Sequence, residues 1–116
     1  MAFIKRLDQL GGIMELTNLQ LYKLDRGLGE LVQLKVKGRF KFKIYKMVKQ
    51  LSDCLEPVQE ALKGIEDTNE RIEILNETQE VSFDTLQLHE IEDLEISAET
   101  VINLEPIIDF EGDENV

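Results

Sequence analysis

The side chains that could carry out chemistry are few. Cys54 and His89 are the only cysteine and the only histidine, and no orienting acid motif or nucleophile loop accompanies them as a catalytic pair. The acids that follow His89 could gather a divalent ion, but their spacing matches neither an EF-hand nor a His-x-x-x-His site. We therefore expect no enzymatic activity, no cofactor and no metal site.

Charge is divided unevenly along the chain. The formal net charge is −11, from 24 acidic and 13 basic residues. Lys35 to Lys49 contains seven basic residues and no acid, whereas the chain after Arg71 has no Lys or Arg. The two segments could offset each other within one fold or between two copies. Alternatively, the acidic half binds a protein partner with a basic surface. The predicted partner-binding residues are Glu90, Glu92, Asp93, Glu95 and Glu99.

Aromatic residues alternate with the cations of the basic segment. Such a pattern is typical of nucleic-acid-binding surfaces, but a chain of this net charge would be repelled by a polyanion. Phe40 and Phe42 are expected to cap a small core instead. We therefore do not expect direct nucleic-acid binding.

An apolar heptad seam predicts the longest helix. We predict that this helix runs from about Phe40 to about Asn76, is kinked at Pro57, and is on the order of 55 Å long. Asn69 either fixes the register as a buried polar residue or marks the end of the seam. The seam consists of Ile44, Val48, Leu51, Leu55, Val58, Leu62 and Ile65, continued in phase by Asn69 and Ile72.

A shorter helix precedes the seam and cannot cover all of it. Thr17 and Gln20 form a capping-box pattern, which predicts a helix start at Asn18, and Gly27 and Gly29 permit a close approach by a neighbouring backbone. This helix would be about 27 Å long, so the distal seam must be covered by the C-terminal segment or by a second copy in a homodimer. The predicted self-association residues are Val58, Leu62, Ile65 and Ile72.

The remaining elements complete a mostly α, α+β fold. Val81 to Leu88 alternates as a strand, which we pair with Ile13–Leu16 in a minimal two-stranded sheet. His89–Leu94 is predicted to be a turn, and Ser97 caps a short C-terminal helix. We predict a helical hairpin with one long helix as a single domain over residues 13–109, with an N-terminal appendage (1–12) and an acidic tail (110–116).

The sequence carries no targeting signal that we recognise. No stretch approaches the roughly 18 apolar residues needed to span a bilayer, and the opening residues lack the apolar core of a secretory signal. A single cysteine cannot form an intrachain disulfide. We expect a cytoplasmic protein that does not bind membranes.

Four motifs follow one another along the chain. They are Glu15-Leu-Thr-Asn-Leu-Gln-Leu-Tyr22, the Lys-rich entry to the long helix, Leu55-Glu-Pro57, and the ending from Val81 to Leu104-Glu-Pro-Ile-Ile108. In this order they resemble a loose group of small proteins encoded by tailed phages and prophages. The resemblance covers residues 14–109. It implies an origin and an architecture, but no site residues.

Charge and resemblance together predict a function through binding. The first hypothesis is a non-enzymatic phage-encoded protein-interaction module in the host bacterial cytoplasm, such as an acidic inhibitor or modulator of a host defence or nucleic-acid-handling protein. The alternative is a phage virion or assembly component that oligomerises through the long helix.

Overall fold

A computed structural model describes residues 13–110 of the chain, so the predicted appendage (1–12) and residues 111–116 of the predicted tail lie outside the described residues. The fold is mostly α, of the α+β class, as predicted. The elements, in chain order, are β1 (Ile13–Thr17), α1 (Asn18–Val32), α2 (Gly38–Lys63), α3 (Thr68–Asn76), β2 (Thr78–Ser82), β3 (Leu86–Gln87), α4 (Leu88–Ile91), α5 (Ala98–Leu104), a 3-10 turn (Glu105–Ile107) and β4 (Ile108–Asp109).

The helical hairpin of α1 and α2 is the centre of the fold. The Thr17 hydroxyl accepts a hydrogen bond from the Gln20 amide at 3.0 Å, and the Gln20 side chain accepts one from the Thr17 amide at 2.8 Å. This capping box starts α1 at Asn18, as predicted. Leu21, Leu24, Leu28 and Leu31 of α1 are buried with the apolar residues of α2 in one core cluster.

The predicted pairing of the N-terminal strand is confirmed. β1 and β2 pair antiparallel, with Met14 opposite Val81, and both of these side chains are buried. The strand begins at Thr78 and ends at Ser82, however, so it does not run from Val81 to Leu88 as predicted. A second pair was not predicted: β3 and β4 align in parallel, with Leu86 opposite Ile108.

The prediction of one continuous helix from Phe40 to Asn76 is wrong. Helix α2 begins at Gly38, accommodates Pro57 and ends at Lys63, after 26 residues. Asp67 then caps a separate helix, α3, by accepting the Glu70 amide at 3.0 Å. The heptad phase continues across this break, but Gly64 follows the last helical residue and a new N-cap signal starts at Asp67.

Arg71 closes the turn between α2 and α3. Its guanidinium donates from Nη1 to the carbonyl oxygens of Leu62, at 2.7 Å, and Ile65, at 2.9 Å. Carbonyl groups in the last turn of a helix have no intrahelical partner, and here the Leu62 carbonyl accepts both the Ile65 amide and a side chain of the next helix. The chain therefore turns back at the place where the seam predicts that it continues.

This turn changes the surroundings of the predicted self-association seam. Val58 and Leu62 are buried within the chain, Ile65 is half-buried, and Ile72 lies on α3 with 48% of its surface exposed. Asn69 is exposed, which agrees with the interpretation that the seam ends there. The distal end of α2 is thus shielded by its own chain, and the length argument for a partner copy no longer holds.

A polar bridge ties α3 to the hairpin. Asn18 is buried, and its Nδ2 donates to the Ile74 carbonyl oxygen at 2.7 Å. Gln79 Nε2 donates to Asn18 Oδ1 at 2.8 Å and to the Cys54 carbonyl oxygen at 3.2 Å. One buried amide therefore connects the start of α1 with the end of α3 and with β2.

Helix α5 packs closely on α1 at a glycine. A Cβ atom at Gly27 would lie 2.7 Å from Leu104 Cδ2 and Cγ, whereas one at Gly29 would meet nothing within 4 Å. The neighbouring backbone predicted beside these glycines is therefore not found at either one: the atoms that come close to Gly27 belong to the side chain of Leu104. Ser97 caps α5 as predicted, accepting the Thr100 amide at 3.1 Å.

Candidate functional site

The predicted acidic face lies on the segment from α4 to the first turn of α5. His89–Leu94 was predicted to be a turn. Instead, its first residues belong to the short helix α4, which spans Leu88–Ile91. Downstream, Ile91 is buried, and Leu94 and Ile96 are half-buried. Because these apolar residues pack on the core, the acids that lie between them in the sequence point to solvent.

Glu90 differs from the other predicted partner-binding residues because it has partners within the chain. Its Oε1 accepts from the Gln87 amide at 2.8 Å and from Lys43 Nζ at 2.9 Å. The two charged side chains are only about one-fifth exposed, at 20% and 21%. This ion pair joins the basic segment of α2 to the acidic segment, so at this position the two charged segments offset each other within one fold.

The remaining four acids form an exposed cluster that we call the acidic patch. It consists of Glu92, Asp93, Glu95 and Glu99, all of which are exposed. Among the described residues, none of the four forms an ion pair. Closely spaced carboxylates without cations raise the local negative potential. Such a surface is suited to meeting a basic one.

Only some side chains of the basic segment pack against the core. Phe40 packs against the core, as expected, but Phe42 is 66% exposed and does not cap it. Tyr45 is also exposed, and Lys46 Nζ lies 5.4 Å from the centroid of the Phe42 ring. The position of Phe42 opposite to the buried Ile44 and Met47 on α2 explains the difference: helical spacing turns it outward. Sequence reasoning missed this exposed aromatic pair.

Cys54 is placed where its thiol is a weak nucleophile. The side chain is half-buried on α2, and burial, with a smaller contribution from the neighbouring Asp53 carboxylate, raises the pKa of the Cys54 thiol above its ordinary value of 9.0. A raised pKa leaves less thiolate at neutral pH, and the thiolate is the reactive form.

Residues 13–110 contain neither a metal-binding group nor a membrane-spanning helix. Within that range, no group of three or more His, Cys, Asp or Glu side chains is arranged so that it could hold a metal ion. None of the helices described there is long and apolar enough to cross a membrane.

Comparison with known proteins does not extend these observations. No protein-family model, no curated protein and no solved structure matches the chain. The resemblance to small phage and prophage proteins therefore remains a prediction from the sequence.

Proposed function

We propose that this chain is a non-enzymatic protein-interaction module, encoded by a phage or prophage, that binds a basic surface on a host protein through the acidic patch. An inhibitor or modulator of a defence or nucleic-acid-handling protein fits this chemistry, because proteins that handle nucleic acids carry basic surfaces. The observation that carries the proposal is the exposure of Glu92, Asp93, Glu95 and Glu99, none of which forms an ion pair within residues 13–110.

The ion pair of Glu90 supports this choice of surface. Lys43 neutralises Glu90 within the chain, so of the five predicted partner-binding residues the four beyond Glu90 are available to a partner. Because the apolar side chains of the same segment pack on the core, a partner would meet carboxylates that are carried on a restrained backbone. Complementary charge of this kind increases the association rate and selects among partners.

The test compares two variants of equal net charge. In the first, Glu92→Gln, Asp93→Asn, Glu95→Gln and Glu99→Gln neutralise the acidic patch. In the second, Glu15→Gln, Asp25→Asn, Glu30→Gln and Glu73→Gln neutralise four other exposed acids. Each is immobilised beside the wild type, incubated with a bacterial lysate at low and at moderate salt, and the retained proteins are identified.

We expect the wild type and the second variant to retain the same basic protein, and the patch variant to lose it. Retention should weaken as salt rises, because exposed charges are screened. Equal retention by the patch variant, or retention that does not respond to salt, would refute the proposal. Circular dichroism of each variant verifies that the helices are intact.

The second candidate, a virion or assembly component that oligomerises through the long helix, is favoured by the exposed Phe42 and Tyr45 on α2. Light scattering over a range of concentrations tests it. A monomer at every concentration would remove this candidate and leave the first one standing.

A further inference from the structure

Helix α2 carries opposite charges along its exposed side. We name this side the outer face and define it by Phe42, Tyr45, Lys46, Lys49, Asp53 and Glu56, all exposed. Their spacing of three and four residues keeps them on one side of the helix. The first half of the outer face is basic and the second half is acidic. Within residues 13–110, none of its four charged side chains forms an ion pair.

The basic half also presents aromatic surface. Phe42 is the most exposed of the large apolar side chains in the described part of the chain, at 66%, and Tyr45 is 53% exposed. Lys46 covers one side of the Phe42 ring. Aromatic residues are enriched where protein surfaces contribute most to binding, so the outer face combines charge with apolar area that a partner can bury.

The order of the charges determines how two such faces can meet. A parallel pair of α2 helices would bring Lys46 and Lys49 against the same cations of the other copy. An antiparallel pair brings the basic half of each copy against the acidic half of the other. A surface that is complementary to itself in this way is suited to a two-fold symmetric interface.

We propose that a second copy of this chain binds the outer face, in an antiparallel pairing of the two α2 helices about a two-fold axis. With the axis between Lys49 and Asp53, Lys49 lies at the level of Asp53 of the second copy, and Lys46 at the level of Glu56 of the second copy. Symmetry repeats both contacts. The two Phe42 rings lie toward the ends of the shared stretch, roughly 14 Å from the axis along the helix.

This interface shares no residue with the acidic patch or with the predicted self-association residues. It uses neither Val58 nor Leu62, which are buried, and it leaves Glu92 to Glu99 unaltered. A second copy fits the outer face better than a nucleic acid does, because the acidic half of the face repels a polyanion, whereas a second copy presents a basic half to it.

The experiment uses two variants that are complementary to each other. The acidic variant carries Lys46→Glu and Lys49→Glu, and the basic variant carries Asp53→Lys and Glu56→Lys. In either variant alone, both halves of the outer face have the same sign. In an equimolar mixture, the opposite signs face each other again. Sedimentation velocity over a range of concentrations gives the dimer fraction for the wild type, each variant and the mixture.

We expect the wild type and the mixture to dimerise, and each variant alone to associate at least about tenfold more weakly, because like charges then face each other. The basic variant is less acidic overall than the wild type, so general repulsion between copies would predict that it associates more strongly. Weak association of the basic variant therefore identifies the local pairing as the cause.

Three results would overturn the proposal: a wild type that stays monomeric at all concentrations, variants that dimerise as well as the wild type, or a mixture that fails to associate. Binding of a fluorescent single-stranded oligonucleotide by monomeric wild type would assign the outer face to nucleic acid instead. Matched controls on α1, Lys23→Glu with Arg26→Glu and Asp25→Lys with Glu30→Lys, change the same charges on other exposed residues and should leave the dimer intact.

Discussion

Two short helices, α3 and α5, pack against the hairpin, and different interactions hold each of them. α5 is anchored by burial: Leu104 and Thr100 are almost fully buried, and Leu104 fits against Gly27. α3 has no buried residue. It is held by the hydrogen bonds of Asn18 to its last turn and of Arg71 to the end of α2.

The difference has consequences for local stability. Apolar burial stabilises in proportion to the area removed from water, whereas an internal hydrogen bond replaces one to water and contributes a smaller net free energy. We therefore expect α5 to unfold only with the whole core. α3 is expected to open at a lower free energy, as segments with few buried contacts generally do.

The largest effect is expected at the anchor of α5. Leu104→Ala removes a fully buried side chain and should lower the free energy of unfolding by about 2–5 kcal/mol. Ile102→Ala, in the same helix but 65% exposed, should change it by no more than about 0.5 kcal/mol. Urea denaturation followed by circular dichroism measures both. Similar losses in the two variants would mean that α5 is not anchored by burial.

The corresponding change for α3 is Asn18→Ala. It leaves the Ile74 carbonyl oxygen without its side-chain donor and the Gln79 amide without one of its two acceptors, at an expected cost of about 1–3 kcal/mol. Hydrogen exchange followed by mass spectrometry should show faster exchange in α3 while α5 stays protected. Asn69→Ala, an exposed change within α3, is the control. Uniformly faster exchange over the whole chain would contradict separate opening of α3.

Alanine substitutions at the two glycines of α1 are expected to change the stability of the protein in opposite directions. Gly27→Ala forces a methyl group against Leu104, and overpacking of this kind costs about 1–3 kcal/mol, partly offset by the higher helix propensity of Ala. Gly29→Ala meets no neighbour and should stabilise the protein by up to about 1 kcal/mol. Thermal unfolding should show a lower midpoint for the first and a higher one for the second. A rise in both would show that α5 yields easily.

The smallest effect on the free energy of unfolding is expected from a change of pH. Burial is the largest cause of two raised pKa values, that of the Cys54 thiol and that of the Tyr22 phenol. A group whose pKa is higher in the folded protein contributes stability that is complete below its ordinary pKa and is lost as pH rises through the folded value. The free energy of unfolding should therefore decline above about pH 9.

Two substitutions separate these groups. Cys54→Ser should flatten the lower part of this decline and Tyr22→Phe the upper part, as measured by urea denaturation at a series of pH values. Asn18→Ala should also affect the Cys54 thiol. The side chain of Gln79 bridges Asn18 and the Cys54 carbonyl oxygen, so the loss of Asn18 loosens this contact and should speed alkylation of the thiol. An unchanged pH dependence in both substituted proteins would exclude these groups as its source.

Local signals in the sequence were sufficient for some elements. The capping box of Thr17 and Gln20 fixes the start of α1, and Ser97 fixes the start of α5, because a cap depends only on residues three positions apart. The alternation near Val81 predicted a strand and its pairing with β1, although the strand lies a few residues earlier. Such elements can be inferred without knowing the rest of the fold.

Other features depend on residues that are distant in the sequence. The break after Lys63 had a local signal in Gly64 and in the Asp67-to-Glu70 cap pattern, but the uninterrupted heptad phase outweighed it. Lys43 and Glu90 are 47 positions apart, and Asn18 and Gln79 are 61 apart. No periodicity pairs such residues, so the internal role of Glu90 could not be separated from the four exposed acids.

The parallel pair of β3 and β4 has a consequence for recognition. By joining Gln87 to Asp109, it closes the intervening chain into a loop that is tethered at both ends and contains all four residues of the acidic patch. A loop restrained in this way loses little conformational entropy when it docks. Under the function proposed above, this tether preorganises the patch for its partner, so severing it should weaken docking without removing a single carboxylate.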